Sequence, residues 1–150
     1  MRSRLALVLI ALSLGAPALA QEPGTDFPRR LVVTVVTRND QGNVYCAIWR
    51  GPRGFPTERQ RAVSHTRDRT IVGRRAQCVF FGLPPGEYAV AAFHDENGND
   101  DLDQGAFGVP TEGTGASNDA RGFMGPPPYE GARFQLTGAP VHRLTIRMFY

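Results

Sequence analysis

The chain has 150 residues and a formal charge of +3, carried by 17 arginines and 14 carboxylates with no lysine; that length builds one core, not two. Arg2 and Arg4 lie in a segment expected to be removed, which leaves fifteen arginines against fourteen carboxylates. A net charge of +1 excludes nucleic-acid binding by the chain as a whole, and 17 Gly with 12 Pro argue against a helical bundle.

Residues 1–20 begin with Arg2 and Arg4, continue as an apolar run to Leu14 and end at Ala18-Leu19-Ala20 after Gly15 and Pro17. This is the pattern of a secretory signal peptide cleaved after Ala20. A membrane span needs about 20 apolar residues, so none is expected after processing. Residues 21–30 read as a flexible N-terminal segment, and 31–150 as the folded domain. An exported chain folds in an oxidising compartment, so its two cysteines, Cys46 and Cys78, are expected to bridge. Closing a loop of that length is worth roughly 3–4 kcal/mol on the loop-entropy model.

Six strands are predicted, at residues 31–36, 44–49, 77–81, 88–93, 133–136 and 144–150, each apolar or alternating and bounded by turn residues. Val44, Cys46 and Ile48 share one face of the second strand, and Cys78 and Phe80 one face of the third, so the sulfurs meet if both faces point inward. Gly82-Leu83-Pro84-Pro85-Gly86 is a turn. The fold class is all-β: a small antiparallel β-sandwich, transthyretin-like or immunoglobulin-like, with long loops. The final alternation of Leu144, Ile146, Met148 and Tyr150 also resembles the end of an outer-membrane barrel. Such a barrel needs about eight or more strands, and no strand is predicted across 94–131.

Two insertions carry opposite charge. Residues 50–75 hold eight arginines against Glu58 and Asp68; residues 94–119 hold seven carboxylates and no arginine. They either neutralise one another or face water, or the basic loop meets anionic polysaccharide or lipid headgroups. Residues 105–131 contain seven Gly and four Pro, and Phe107, Phe123, Met124 and Tyr129 are expected to anchor them as an ordered loop.

The acidic loop is the most informative segment. Counting Asp95 as position 1, oxygen-bearing side chains recur on alternate residues: Asp95, Asn97, Asn99, Asp101 and Asp103. A calcium ion takes six to eight oxygens, and a tight loop of this spacing delivers them inward. The loop departs from the EF-hand pattern at Asp100, where glycine would ease the turn, and at Ala106, where a bidentate glutamate would sit; Glu112 is the substitute ligand. The competing reading is a type I′ turn at Asn97-Gly98 with solvated carboxylates around it.

Several strings occur in order: Gly82-Leu83-Pro84-Pro85-Gly86-Glu87-Tyr88-Ala89-Val90, His94-Asp95-Glu96-Asn97-Gly98-Asn99, Phe107-Gly108-Val109-Pro110-Thr111-Glu112-Gly113, Ser117-Asn118-Asp119-Ala120-Arg121 and Gly125-Pro126-Pro127. Together they resemble the bacterial exported domain-of-unknown-function family numbered 2141 (DUF2141), over about residues 31–150. In that family the acidic turn usually reads Asn-Gly-Asn-Gly, and Asp100 stands here at the last of those places. The Leu-Pro-Pro-Gly-Glu-Tyr segment is also similar to one in transthyretin-like and carboxypeptidase-regulatory-like sandwiches, which speaks to fold and not to substrate.

No Gly-x-Ser-x-Gly elbow, phosphate-cradling glycine loop or His-x-x-x-His pair occurs. The expectation is a non-enzymatic, periplasmic or secreted module of the cell envelope, with calcium as the candidate ion and an envelope protein or polysaccharide as the partner. The alternatives are an envelope enzyme with its site near His94, Asp95 and Glu112, and an outer-membrane-associated protein.

Overall fold

The computed structural model describes residues 29–150, so the expected signal peptide and residues 21–28 lie outside the described residues. Eight strands form, β1 (Arg30–Val36), β2 (Asn43–Trp49), β3 (Ser64–Asp68), β4 (Arg75–Phe81), β5 (Gly86–Asp95), β6 (Gly113–Ala116), β7 (Phe134–Leu136) and β8 (Val141–Arg147), with one short helix, α1 (Tyr129–Ala132), before β7. They build two sheets. One has the order β4-β1-β8; the other runs β3-β2-β5-β6, with β7 also pairing β5. All pairs are antiparallel except β1 and β8, which run parallel. The all-β sandwich stands, and the strands lie in two separate sheets. No helix among the described residues is long and apolar enough to cross a membrane.

The period-2 alternation puts Leu31, Val33 and Val35 of β1, Val44, Cys46 and Ile48 of β2, Ala76, Cys78 and Phe80 of β4 and Tyr88, Val90 and Ala92 of β5 into one core between the sheets. Cys46 and Cys78 face each other across it, bonded, with Cα atoms 6.2 Å apart. β2 is buried on its other face too. There Trp49 meets Phe55 edge-on, Phe55 meets Tyr129, and Ala89, Ala116 and Ala132 pack beside them, so residues 50–62 and α1 cover part of the outer face of the larger sheet.

Two strands were not expected from the sequence. β3 has no fully buried residue and lies at the sheet edge beside β2, so it lacks the apolar run by which a strand is recognised. β6 reads Gly-Thr-Gly-Ala, a composition that weakens an isolated strand. The glycines have a packing reason. A Cβ on Gly115 would lie 2.6 Å from Ile146 Cγ2, and one on Gly113 would overlap the Tyr150 ring. Their absence lets the chain after β8 cross β6, where Thr114 and Phe149 exchange backbone bonds of 2.9 and 2.8 Å. The expectation that Phe107, Phe123 and Met124 anchor residues 105–131 is overturned: all three are almost wholly exposed, and only Tyr129 is buried. The segment is held instead by polar contacts. Ser117 Oγ donates to the Ala132 carbonyl and accepts from Val90 N–H, Asn118 Nδ2 donates to the Gly131 and Arg133 carbonyls, and Asp119 accepts from the backbone and guanidinium of Arg147.

Candidate functional site

The acidic insertion leaves the sandwich where β5 finishes; the basic one leaves β2 at Trp49, beside the start of β5, and returns along β3 to Asp68, beside its end. His94 lies on the core face of β5 and Asp95 follows it; neither exposes any surface. His94 Nε2 is 2.6 Å from the Gln41 carbonyl, which can only accept, so Nε2 carries the proton. Nδ1 lies 2.7 Å from the Tyr150 hydroxyl, and that hydroxyl accepts the Arg38 N–H at 2.9 Å. Both imidazole nitrogens are engaged. The Arg38 guanidinium lies over the Tyr150 ring and grips the Glu96 carboxylate through Nε and a second nitrogen, while Asn39 Nδ2 donates to the same carboxylate at 2.6 Å. These bonds, chiefly the one from Arg38, hold the Glu96 carboxyl below the usual glutamate range; burial pushes the Tyr150 phenol up.

The acidic loop closes on its own backbone. Asp95 Oδ1 accepts N–H bonds from Gly98 (2.8 Å) and Asn99 (3.1 Å), and Oδ2 accepts that of Asp100 (3.0 Å). Asn97 Oδ1 takes the Asn99 N–H and Asn99 Oδ1 the Asp101 N–H, two successive Asx turns. Their side-chain nitrogens both donate to Asp103, at 2.5 and 3.0 Å. Glu112, buried on the loop following Asp103, accepts the N–H groups of Glu96 (2.8 Å) and Asp103 (3.2 Å). Gly42 fits against this root with φ +69°, and a Cβ there would overlap the Asp95 carbonyl oxygen.

Four of the five expected ligands, Asp95, Asn97, Asn99 and Asp103, are thus folded into one turn; Asp101 is exposed and its side chain meets none of them. Among the described residues no group of three or more His, Cys, Asp or Glu side chains is gathered to hold a metal ion. The type I′ turn is not formed, because it needs positive φ at both central residues and Asn97 lacks it. The left-handed residues are Gly98 (φ +75°) and Asp100 (φ +69°). Asp100 therefore adopts the conformation that glycine takes at that place, as aspartate does more readily than most residues.

Asp100 also shows where the insertions meet. Its carboxylate accepts Arg67 Nη1 at 2.7 Å and the Tyr45 hydroxyl, and Arg67 Nη1 donates to that hydroxyl in turn. The bond from Tyr45 holds the Asp100 carboxyl below its usual range, with the charges of Arg67 and Arg59 adding to it. This is the one direct ion pair between the two insertions among the described residues, so direct pairing between them is confined to a single arginine. The sequence analysis missed Arg38, Asn39, Tyr45, Glu96 and Tyr150. No local signal marks them, because Arg38 and Tyr150 lie 112 positions apart. The signal nearest to hand was Asp100 itself, a charged residue at a glycine position.

A family model described as an uncharacterized protein conserved in bacteria, DUF2141, matches residues 32–143. No curated protein and no solved structure matches the chain.

Proposed function

Because the chain belongs to the bacterial DUF2141 family, we propose that it is an exported, non-enzymatic β-sandwich that serves the cell envelope as a binding or structural module, with calcium in the acidic loop. The observation that carries the ion reading is the turn at 95–103, where the Asp103 carboxylate already touches the side-chain amides of Asn97 and Asn99 while Asp95 holds the backbone of 98–100 in place. Rotation of the two amides, which gives up the Asx bonds from the Asn99 and Asp101 N–H groups, would turn their oxygens to the same point as the Asp103 carboxylate, and a hard cation then replaces two N–H donors. A binding role is supported by the way His94, Asp95 and Glu112, the residues of the enzymatic alternative, spend their polar atoms on the fold. Export is supported by the bridge between the two cysteines.

The test is a thermal melt with calcium and with chelator. At 100 times its dissociation constant one calcium ion adds about 2.7 kcal/mol of stability, and Asp103→Asn abolishes that gain. Identical melts in calcium and chelator refute the ion site.

A further inference from the structure

On the outer face of the larger sheet, β3 and β2 pair so that Arg67 is opposite Tyr45 and His65 opposite Ala47. Tyr45 stacks on Phe93 of β5 at 4.8 Å, nearly parallel. The Arg59 guanidinium, carried in from the loop after β2, lies 5.4 Å from the Tyr45 centroid and 5.5 Å from that of Phe93. It is held by two aromatic faces and makes no hydrogen bond with any described residue, so its fork of N–H donors is positioned and unspent. Tyr45, Arg59, His65, Thr66, Arg67 and Asp100 line a cleft of about 340 Å³, at the lower end of the small-ligand range. Two arginines, Arg59 and Arg67, against one carboxylate, Asp100, give the cleft a surplus of one permanent positive charge.

We propose that this cleft binds a uronate unit of an acidic polysaccharide, its carboxylate on Arg59 and its hydroxyls on Asp100. Guanidinium recognises carboxylate through paired N–H donors. A surplus of one positive charge matches one carboxylate, whereas the Asp100 oxygens repel a doubly charged phosphate and accept sugar hydroxyls. The inference names a partner class for the module proposed above and shares its premise of a binding role, but it does not require calcium.

The experiment is an amide and imidazole NMR titration of the whole protein in chelator with a galacturonate trimer, a neutral galactose trimer and inorganic phosphate. Saturable shifts at His65, Thr66, Arg67 and Asp100 are expected with the uronate alone. Arg59→Gln, with an otherwise unchanged spectrum, weakens binding about tenfold or more, a loss of one good charge-assisted contact. Arg59→Lys, which keeps the charge but not the fork, weakens it as well, and Arg53→Gln leaves it within about twofold of wild type. The proposal is overturned by the absence of saturation, by equal binding of the neutral trimer, by tighter binding of phosphate, or by undiminished binding to Arg59→Gln. Chelator keeps this result separate from the calcium melt, so either can fail alone.

Discussion

The acidic loop and the arginine segment carry comparable charge density and use it in opposite ways. Three of the carboxylates from Asp95 to Glu112 bond to the loop itself: Asp95 accepts three backbone N–H groups, Glu112 two, and Asp103 two side-chain amides. Among the arginines of residues 50–75, Arg61 pairs with Glu58 and Arg67 with Asp100, whereas Arg53, Arg69, Arg74 and Arg75 donate no side-chain bond to a described residue. Reach and chemistry explain the contrast. Asp and Asn are short acceptors that find their own backbone donors two to five residues along. Arginine is a long side chain with donors only, so it cannot close an Asx-type turn on its own N–H groups. One insertion therefore consumes its charge in folding, and the other leaves it for a partner.

The contrast can be broken in three ways. The largest effect is expected of Gly42→Ala. Positive φ alone costs roughly 1–2 kcal/mol, and overlap with the Asp95 carbonyl raises the loss to about 3 kcal/mol or more in a urea melt. A loss no larger than the φ cost would mean that the acidic loop is not seated on the β1–β2 turn. Next, Asp95→Ala leaves the Gly98 and Asp100 amides without their acceptor and takes one of two from Asn99; it is expected to cost about 3 kcal/mol, while Arg53→Ala stays within about 0.5 kcal/mol of wild type. Equal losses in the two variants would erase the distinction between the insertions.

The smallest effect concerns pH. Glu96 and Asp100 have carboxyl groups held below their unfolded values, by Arg38 and by Tyr45 with Arg67 respectively. Their contribution is full above about pH 4.3 for the glutamate and 3.9 for the aspartate and is lost as the pH falls through the folded values. Glu96→Gln is expected to lower the melting midpoint by a few degrees at neutral pH and to flatten its decline in acid. A variant with the wild-type acid slope would show that the Arg38 to Glu96 contact contributes nothing to that decline.

Local rules made β1, β2, β4 and β5 legible, since their alternation is read two residues at a time and survives any tertiary arrangement. β3 and β6 escaped for the same reason. Ser64–Asp68 sits at an edge with no buried residue, and Gly113–Ala116 is a strand only because its missing side chains admit Ile146 and Tyr150. Alternate-residue oxygens marked the acidic turn, but their spacing gave no sign that Asp101 would face solvent and Asp100 would turn to Arg67.

By itself the amino-acid order determined the all-β class and the Cys46 to Cys78 pairing, because each follows from composition or pairing arithmetic; that Asp100 takes a glycine-like bend was decided by the structure. The tertiary structure alone decided the parallel pairing of β1 with β8, the junction of Arg38, His94, Glu96 and Tyr150, and the placing of Arg59 over Tyr45 and Phe93. Those contacts join segments with no sequence relation to one another, and what selects them is which buried polar groups and aromatic faces find partners once the two sheets close on their common core.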